Sequence, residues 1–319
     1  MTDDFDITST ALLRCIRQRM RQNRYARTGC KALFSVIIPT LNRANMLTKA
    51  LGSIDRAAFG HDVEVIVVDN GSNDETKLFV TAYKATNLNI VYESEPEPGV
   101  CRAKNKGILR ASFDILVFTD DDCQMAADYF TILEKLYAAA EQPSLIGGRV
   151  ELGDPTDAPI TIKTEMKEAR YGDDPHESPG GFVHGCNLTM HREVFDQIGC
   201  WDERFGPAGV FRAAEDTEII YRAHKAGISI IYHPDLVMYH YHGRKTSEEI
   251  KRLNRSYQFG NGALLALYHD KLLIKLLYWY FINWIKEFGG GKMFDENLCI
   301  SHGEVVKSQI RGVIRFLNH

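Results

Sequence analysis

Asp114-Ile115-Leu116-Val117-Phe118-Thr119-Asp120-Asp121-Asp122 is an apolar run that ends in three adjacent carboxylates. Ile115 to Phe118 is short, β-branched and aromatic, the composition of a strand buried on both faces. On an extended chain side chains alternate, which puts Asp120 and Asp122 on one side and Asp121 on the other. Two carboxylates held so close repel unless a positive charge sits between them or one takes a proton. A divalent cation bound through oxygen, Mg or Mn, is the usual remedy. A solvated acidic turn is the plain alternative.

Upstream of this run, strand-like and helix-like segments alternate. Residues 34–39 read as a core strand, closed by Pro39 and a Thr40-Leu41-Asn42-Arg43 loop, with a helix to about residue 58. Residues 63–68 read as a second strand, ending in Asp69-Asn70-Gly71-Ser72-Asn73-Asp74. Ser72 and Glu75 have the spacing of a capping box for the next helix. Residues 89–92 lead into Glu95-Pro96-Glu97-Pro98-Gly99 and a helix over 100–109, which brings Arg102, Lys104 and Lys106 to a helix N-terminus, an anion site. Four strand–helix repeats with polar loops after the strands predict an α/β fold built on an open, mostly parallel sheet flanked by helices. Such sheets bind ligands at the carboxyl ends of their strands. No GxGxxG follows a strand and no GxxxxGK[ST] occurs, so neither a dinucleotide fold nor a P-loop is signalled.

The totals narrow the function. The chain has 319 residues, 45% hydrophobic and 25% charged, which is a globular composition. A net charge of -4 gives no reason to expect a nucleic-acid partner. The seven cysteines form no CxxC pair, which argues against a zinc site or a disulfide framework and fits a reducing, cytoplasmic compartment. The N-terminus is acidic and polar, unlike a signal peptide.

Pro39-Thr40-x-Asn42-Arg43, Val68-Asp69-Asn70-Gly71-Ser72-x-Asp74, Gly99-x3-Ala103-x-Asn105-x-Gly107 and Asp120-Asp121-Asp122 occur in that order. His184-Gly185-Cys186-Asn187, Gly199-Cys200-Trp201-Asp202-Glu203-Arg204-Phe205 and Glu215-Asp216-Thr217-Glu218 follow. The series, over roughly residues 34 to 243, resembles the family 2 glycosyltransferases with the GT-A fold.

The resemblance implies a Mn- or Mg-dependent transfer of a sugar from a nucleotide diphosphate sugar to a hydroxyl of a glycan or lipid-linked acceptor, by single displacement with inversion. Asp122 would hold the metal directly. Asp120 would contact the donor's ribose or sugar and act through the ion. His240 would be the third ligand, with His242 on the same strand face as its rival. Asp216, in the first turn of a helix whose dipole favours the ionised carboxylate, would be the general base. Pro39, Thr40, Asn42, Arg43, Asp69 and Asn70 would hold base and ribose, with Asp121 beside them, and Arg102 and Lys104 would meet the diphosphate. Asn187, Trp201, Asp202 and Glu215 would line the acceptor site. Asn70 stands where a second Asp is commoner, which leaves uracil and thymine both open as the base, ahead of guanine. A catalytically silent nucleotide-sugar binding module is the alternative. A sugar nucleotidyltransferase would need a Gly-rich phosphate loop after the first strand, and Pro39-Thr40-Leu41-Asn42 is not one.

The rest of the chain divides into a basic N-terminal arm (1–33), the catalytic region (34–245) and a helical C-terminal extension (246–319). Beyond the acidic run, residues 144–150 read as a strand, 162–170 as a short helix and 182–190 as a strand. Residues 193–198 and 214–226 read as helices, and 228–232 with 236–240 as a strand pair. In the arm, Leu13, Ile16 and Met20 share a helical face among seven cations between residues 11 and 31. Near the end, Leu272, Leu273, Leu276, Leu277, Tyr280, Phe281 and Trp284 share one face, while Tyr278, Trp279, Ile282 and Ile285 make the other side apolar. Such a helix is expected to be buried, in the core, in a homodimer interface or shallowly in a membrane surface. Residues 289–304 read as a loop.

Overall fold

β1 (Leu33–Thr40), β2 (Asp62–Asp69), β3 (Leu88–Ser94) and β4 (Ile115–Phe118) pair in parallel in the order β3-β2-β1-β4. Their carboxyl ends therefore lie along one edge. The crossovers are α1 (Ala44–Ala57), α2 (Thr76–Ala82) and α3 (Val100–Arg110). Alternation along β1 sorts the core: Phe34, Val36 and Ile38 pack with Leu47, Leu51 and Ile54 of α1, while Ile37 joins Ala103 and Ile108 of α3 on the opposite face. The computed structural model describes residues 33–140, 143–174, 177–269, 271–291 and 299–319. The basic arm at 11–31 and part of the 289–304 loop lie outside them.

Past β4 the sheet is mixed. β5 (Cys123–Met125), α4 (Tyr129–Ala139), β6 (Ser144–Leu152), β7 (Ala169–Arg170), β8 (Leu188–His191), α5 (Glu193–Ile198), α6 (Glu215–Lys225) and β9 (Ser229–His240) follow in the chain. The full order is β3-β2-β1-β4-β8-β6-β9-β5, with β7 also beside β9. β8 runs antiparallel between β4 and β6, and β9 runs parallel to β6.

Four local expectations are corrected. Residues 182–190 are not one strand: Gly185–Asn187 is a 3-10 turn and only Leu188–His191 is extended. Buried Asn187 holds the turn, its amide nitrogen donating to the carbonyls of Arg149 and Leu236 and its Oδ1 accepting the Tyr129 hydroxyl. Residues 162–170 contain no helix, because their backbone groups bond to the sheet instead: Lys163 bridges Val150, and Ala169–Arg170 pairs with β9. The expected strand pair is the single strand β9. Its register with β6 jumps between Gly148 and Arg149, so residues 234–236 bulge around Pro234, whose carbonyl accepts from Arg149 Nε. The capping box is absent: Glu75 is the N-cap of α2 without a side-chain cap bond, Asp74 Oδ1 before it accepts from the Thr76 N–H and hydroxyl, and Ser72 Oγ accepts the Asn42 N–H.

The C-terminal helices α7 (Ser247–Tyr268), α8 (Lys271–Phe288) and α9 (His302–Leu317) seat on the sheet domain through a third apolar cluster. In it Phe205, Phe211 and Ala214 meet Ala263, Leu264 and Leu273. α7 and α9 cross at two glycines. A Cβ on Gly262 would lie 2.0 Å from the Gln309 carbonyl oxygen, and one on Gly312 would lie 2.0 Å from that of Phe259. Of the alternatives for the aromatic helix, burial in the chain's own core is corrected, since among the described residues of α8 only Leu273 is buried within the chain. No helix among the described residues is long and apolar enough to cross a membrane.

Candidate active site

The carboxyl edge of the parallel strands gathers the acidic run. After Phe118 the chain leaves extended geometry, so the alternation expected for Asp120, Asp121 and Asp122 does not apply. Instead Asp121 and Asp122 share one cation. Arg43 Nη1 lies 3.1 Å from Asp121 Oδ1 and 2.7 Å from Asp122 Oδ2, and the Thr40 hydroxyl donates to Asp121 Oδ2 at 2.8 Å.

The antiparallel pairing of β5 with β9 sets Cys123 opposite His240, which brings His240 Nε2 to 3.4 Å from Asp122 Oδ1. The other ring nitrogen, Nδ1, lies 3.2 Å from the Thr161 carbonyl oxygen, a partner that fixes the ring and leaves Nε2 facing the carboxylate. His242 is occupied elsewhere, with Nε2 3.0 Å from the Ala158 carbonyl oxygen and Nδ1 accepting the Arg244 N–H. Burial pushes the Asp122 carboxyl up, yet His240 and Arg43 outweigh it and hold the pKa at about 2. Burial lowers the His240 pKa, but the hydrogen bond to Asp122 and nearby acidic groups raise it to about 9. Burial raises Asp121 to about 6 against the pull of Arg43, and raises Asp120 despite Lys104.

The start of α6 supplies the facing groups. Asp216 Oδ1 accepts the Thr217 N–H at 2.7 Å and Oδ2 accepts the Gly185 N–H at 3.3 Å, which fixes the direction of the carboxylate at the helix N-terminus. Burial, then neighbouring Asp216, raises Glu215 to about 7. Lys104, buried on α3, is raised because Glu215 and Asp120 outweigh its burial, and its ammonium lies 4.4 Å from the Trp201 ring centroid.

These groups share one cleft of about 790 Å³, lined by Pro39, Thr40, Arg43, Asn70, Lys104, Asp120, Asp121, Asp122, Glu215, Asp216 and His240. Several other expected residues lie apart from it or are tied up. Asp69 is buried, accepting from the Ser72 N–H and the Tyr92 hydroxyl, and Asn42 Oδ1 accepts the Asn73 N–H. Asn70 reaches the cleft but its amide is spent on the chain: Nδ2 donates to the Glu95 and Glu97 carbonyls and Oδ1 accepts the Gly99 N–H. Arg102 pairs with Glu97 and Glu203, not with the cleft. Trp201 is core, edge-on to Phe118, Asp202 is clamped by Arg204, and Asn187 holds its turn, so none of the three lines the cleft.

The cleft also contains His184, from the His184-Gly185-Cys186-Asn187 motif, and four residues that no motif pointed to: Arg212, Arg244, Arg252 and Tyr257. The last two come from α7. Their signal was a lone Arg or Tyr in a helix, which sequence alone does not separate from a solvated face.

An acidic cleft at the carboxyl edge of a parallel α/β sheet that turns mixed is the architecture of the GT-A glycosyltransferases. The fold is similar to that of the mannosyltransferase PcManGT from Pyrobaculum calidifontis, solved with GDP-Man and Mn2+, with a TM-score of 0.50 at 16% identity over 98% of this chain and 82% of that one. The sequence profile of "Glycosyl transferase family 2" matches residues 35–199, over half the chain. The chain is 28% identical to glycosyltransferase AglE of Haloferax volcanii, over 79% of each. It is also 28% identical to validoxylamine A glucosyltransferase of Streptomyces hygroscopicus, over 61% of this chain and 52% of that one. The chain belongs to glycosyl transferase family 2 and is a glycosyltransferase.

Proposed function

We propose that the protein is an inverting, metal-dependent glycosyltransferase that moves a sugar from a nucleoside diphosphate to a hydroxyl of a glycan or lipid-linked acceptor. The observation that carries this reading is the meeting of Asp120, Asp122 and His240 with Asp216 in one cleft. The donor set suits a divalent cation, because ligand oxygens of Asp120 and Asp122 lie within 4.8 Å of each other and His240 Nε2 faces Asp122. Mn or Mg held there would supply charge to a diphosphate leaving group. Lys104 adds a fixed ammonium beside Asp120 and Asp216. Arg212, Arg244 and Arg252 present three more cations to phosphate oxygens in the same space. Asp216, pinned by two backbone N–H groups, takes the proton from the acceptor hydroxyl as it attacks the anomeric carbon. One displacement at that carbon inverts it. Asn70, with its amide engaged, leaves base selection to the backbone of the Thr40 loop and does not favour uracil over thymine.

The test is a transfer assay over a panel of nucleotide sugars with Mn. Asp216→Asn should keep donor binding and lose transfer by at least about 100-fold, whereas Asp122→Ala should lose metal-dependent donor binding. Near-normal turnover by Asp216→Asn would remove the base assignment, and absence of turnover by the wild type on the whole panel would favour the silent binding module.

A lipid-linked acceptor would suit a chain that docks on a membrane surface through α8. On α8, Ile274, Tyr278, Phe281, Ile285 and Phe288 recur every three or four residues and are 50, 64, 42, 51 and 81% exposed. Exposed Lys271, Lys275 and Lys286 flank this stripe, and the helix's one acid, Glu287, is turned inward to His302. An apolar stripe edged by exposed lysines complements an anionic lipid surface. The chain should therefore sediment with vesicles containing phosphatidylglycerol and much less with phosphatidylcholine alone, and Phe281→Ser with Ile285→Ser should abolish this. A dimer that hides the stripe in solution would overturn it.

A further inference from the structure

Beneath the oxygen-lined cation site lie two thiols that the transfer reaction does not use. Cys123 is the cross-strand partner of His240 in the β5–β9 pair, and Cys186 sits in the 3-10 turn before β8. Ligand atoms of Cys123, Cys186 and His240 all lie within 4.8 Å of one another. Asp122 adjoins two of the three, its Oδ1 3.7 Å from Cys123 Sγ and 3.4 Å from His240 Nε2. All four are buried, yet Cys186, His240 and Asp122 also line the cleft, so an ion has a way in.

We propose that Cys123, Cys186, His240 and Asp122 form a second, soft-cation site for Zn2+ that excludes the oxygen-bound cation. Two sulfurs, an imidazole and a carboxylate are a tetrahedral zinc donor set, which Mg rejects and Mn accepts poorly. Each thiol releases its proton to solvent as its sulfur binds. His240 and Asp122 belong to both sets, so one ion at a time can hold them, and Zn2+ would shut down a Mn- or Mg-dependent transfer. The spacing that normally advertises zinc is missing because the ligands come from three separate strands and turns, brought together only by the sheet. The sharing of ligands rests on the proposed cation site, but the existence of the sulfur site does not.

The test uses the full chain, reduced and stripped of metal. Titration with Co2+ should give one equivalent with an intense near-ultraviolet sulfur-to-metal absorption that Zn2+ removes. Cys186→Ser and Cys123→Ser should each abolish that band while leaving Mn2+ binding, read by electron paramagnetic resonance, in place. Loss of an outer-shell partner alone costs metal affinity about 10–100-fold, so loss of a thiolate should weaken Zn2+ by more than about 100-fold. Independently of any variant, Zn2+ but not Mg2+ should protect Cys123 and Cys186 from alkylation, read by mass spectrometry. A wild type without the sulfur band, or a band that survives in both serine variants, overturns the proposal. Mn2+ that stays bound to the wild type while Zn2+ fills the sulfur site would instead remove the shared-ligand reading.

Discussion

Asn70, found by motif, carries a structural task that the motif does not announce. Its position in Val68-Asp69-Asn70-Gly71-Ser72 marked it as a base-binding group, and it does border the cleft. Its three hydrogen bonds instead hold the Glu95–Gly99 loop against β2. Asn70→Asp would turn two donated bonds into carboxylate–carbonyl repulsion, so we expect a loss of about 1–3 kcal/mol and a lower melting temperature, with a raised donor KM as the loop shifts. Glu215 carries a different signature. Its pKa is raised from 4.5 to about 7, so between those values the folded chain binds more protons than the unfolded one. The stabilisation is fully present below about 4.5 and is lost as pH rises through about 7. Glu215→Gln mimics the protonated acid. The difference in melting temperature between variant and wild type should grow from pH 5 to pH 8, and an unchanged difference would count against the raised value. The acidic residues were legible because carboxylates in threes are rare on apolar strands. Arg212, Arg244 and Arg252 were not, because a guanidinium contributes to a cleft through fold geometry that its neighbours in sequence do not encode.

Secondary elements were legible where a period had room to repeat. β1, β2 and β4 are apolar runs buried on both faces, and α1, α3 and α6 carry clear amphipathic spacing. The failures fall where tertiary bonds override local preference. Asn187 turns the 182–190 run, Pro234 splits the ladder of β9 without ending it, and β5, three residues long, is too short to show any period. The same limit hides the α7–α9 crossing. Gly262 and Gly312 look like poor helix residues in sequence, yet each lets the other helix's backbone approach to where a Cβ would lie 2.0 Å from a carbonyl oxygen. Alanine raises helix propensity by about 1 kcal/mol, but here backbone cannot move aside as a side chain could. Gly262→Ala should therefore destabilise by about 1–3 kcal/mol, the usual range for overpacking, read as a fall in urea midpoint. A gain in stability would mean that the two helices are free to separate.

At the scale of the whole molecule the question is whether residues 246–319 form a separate unit, as the expected division at 245 implies. Three contacts argue that they complete the catalytic part. Phe205 and Phe211, on the loop that leads into α6, are covered by Ala263, Leu264 and Leu273. The Tyr268 hydroxyl donates to Glu218 Oε1, which also binds Arg222, inside α6. Arg252 and Tyr257 form part of the cleft wall. A chain ending at Lys245 keeps Asp120, Asp122, Asp216 and His240 but uncovers two large aromatic side chains, each worth about 1.5–3 kcal/mol when buried. It also frees the helix that carries Asp216. Against a total stability of about 5–15 kcal/mol, that loss is large. The shortened chain should melt at a much lower temperature, or aggregate, and should give no transfer even where some fold survives, because the α6 end would no longer be held against the acidic edge. A shortened chain that unfolds cooperatively near the full-length melting temperature and binds donor with unchanged affinity would show the reverse, that the helices are an appendage whose exposed stripe only tethers a self-sufficient enzyme.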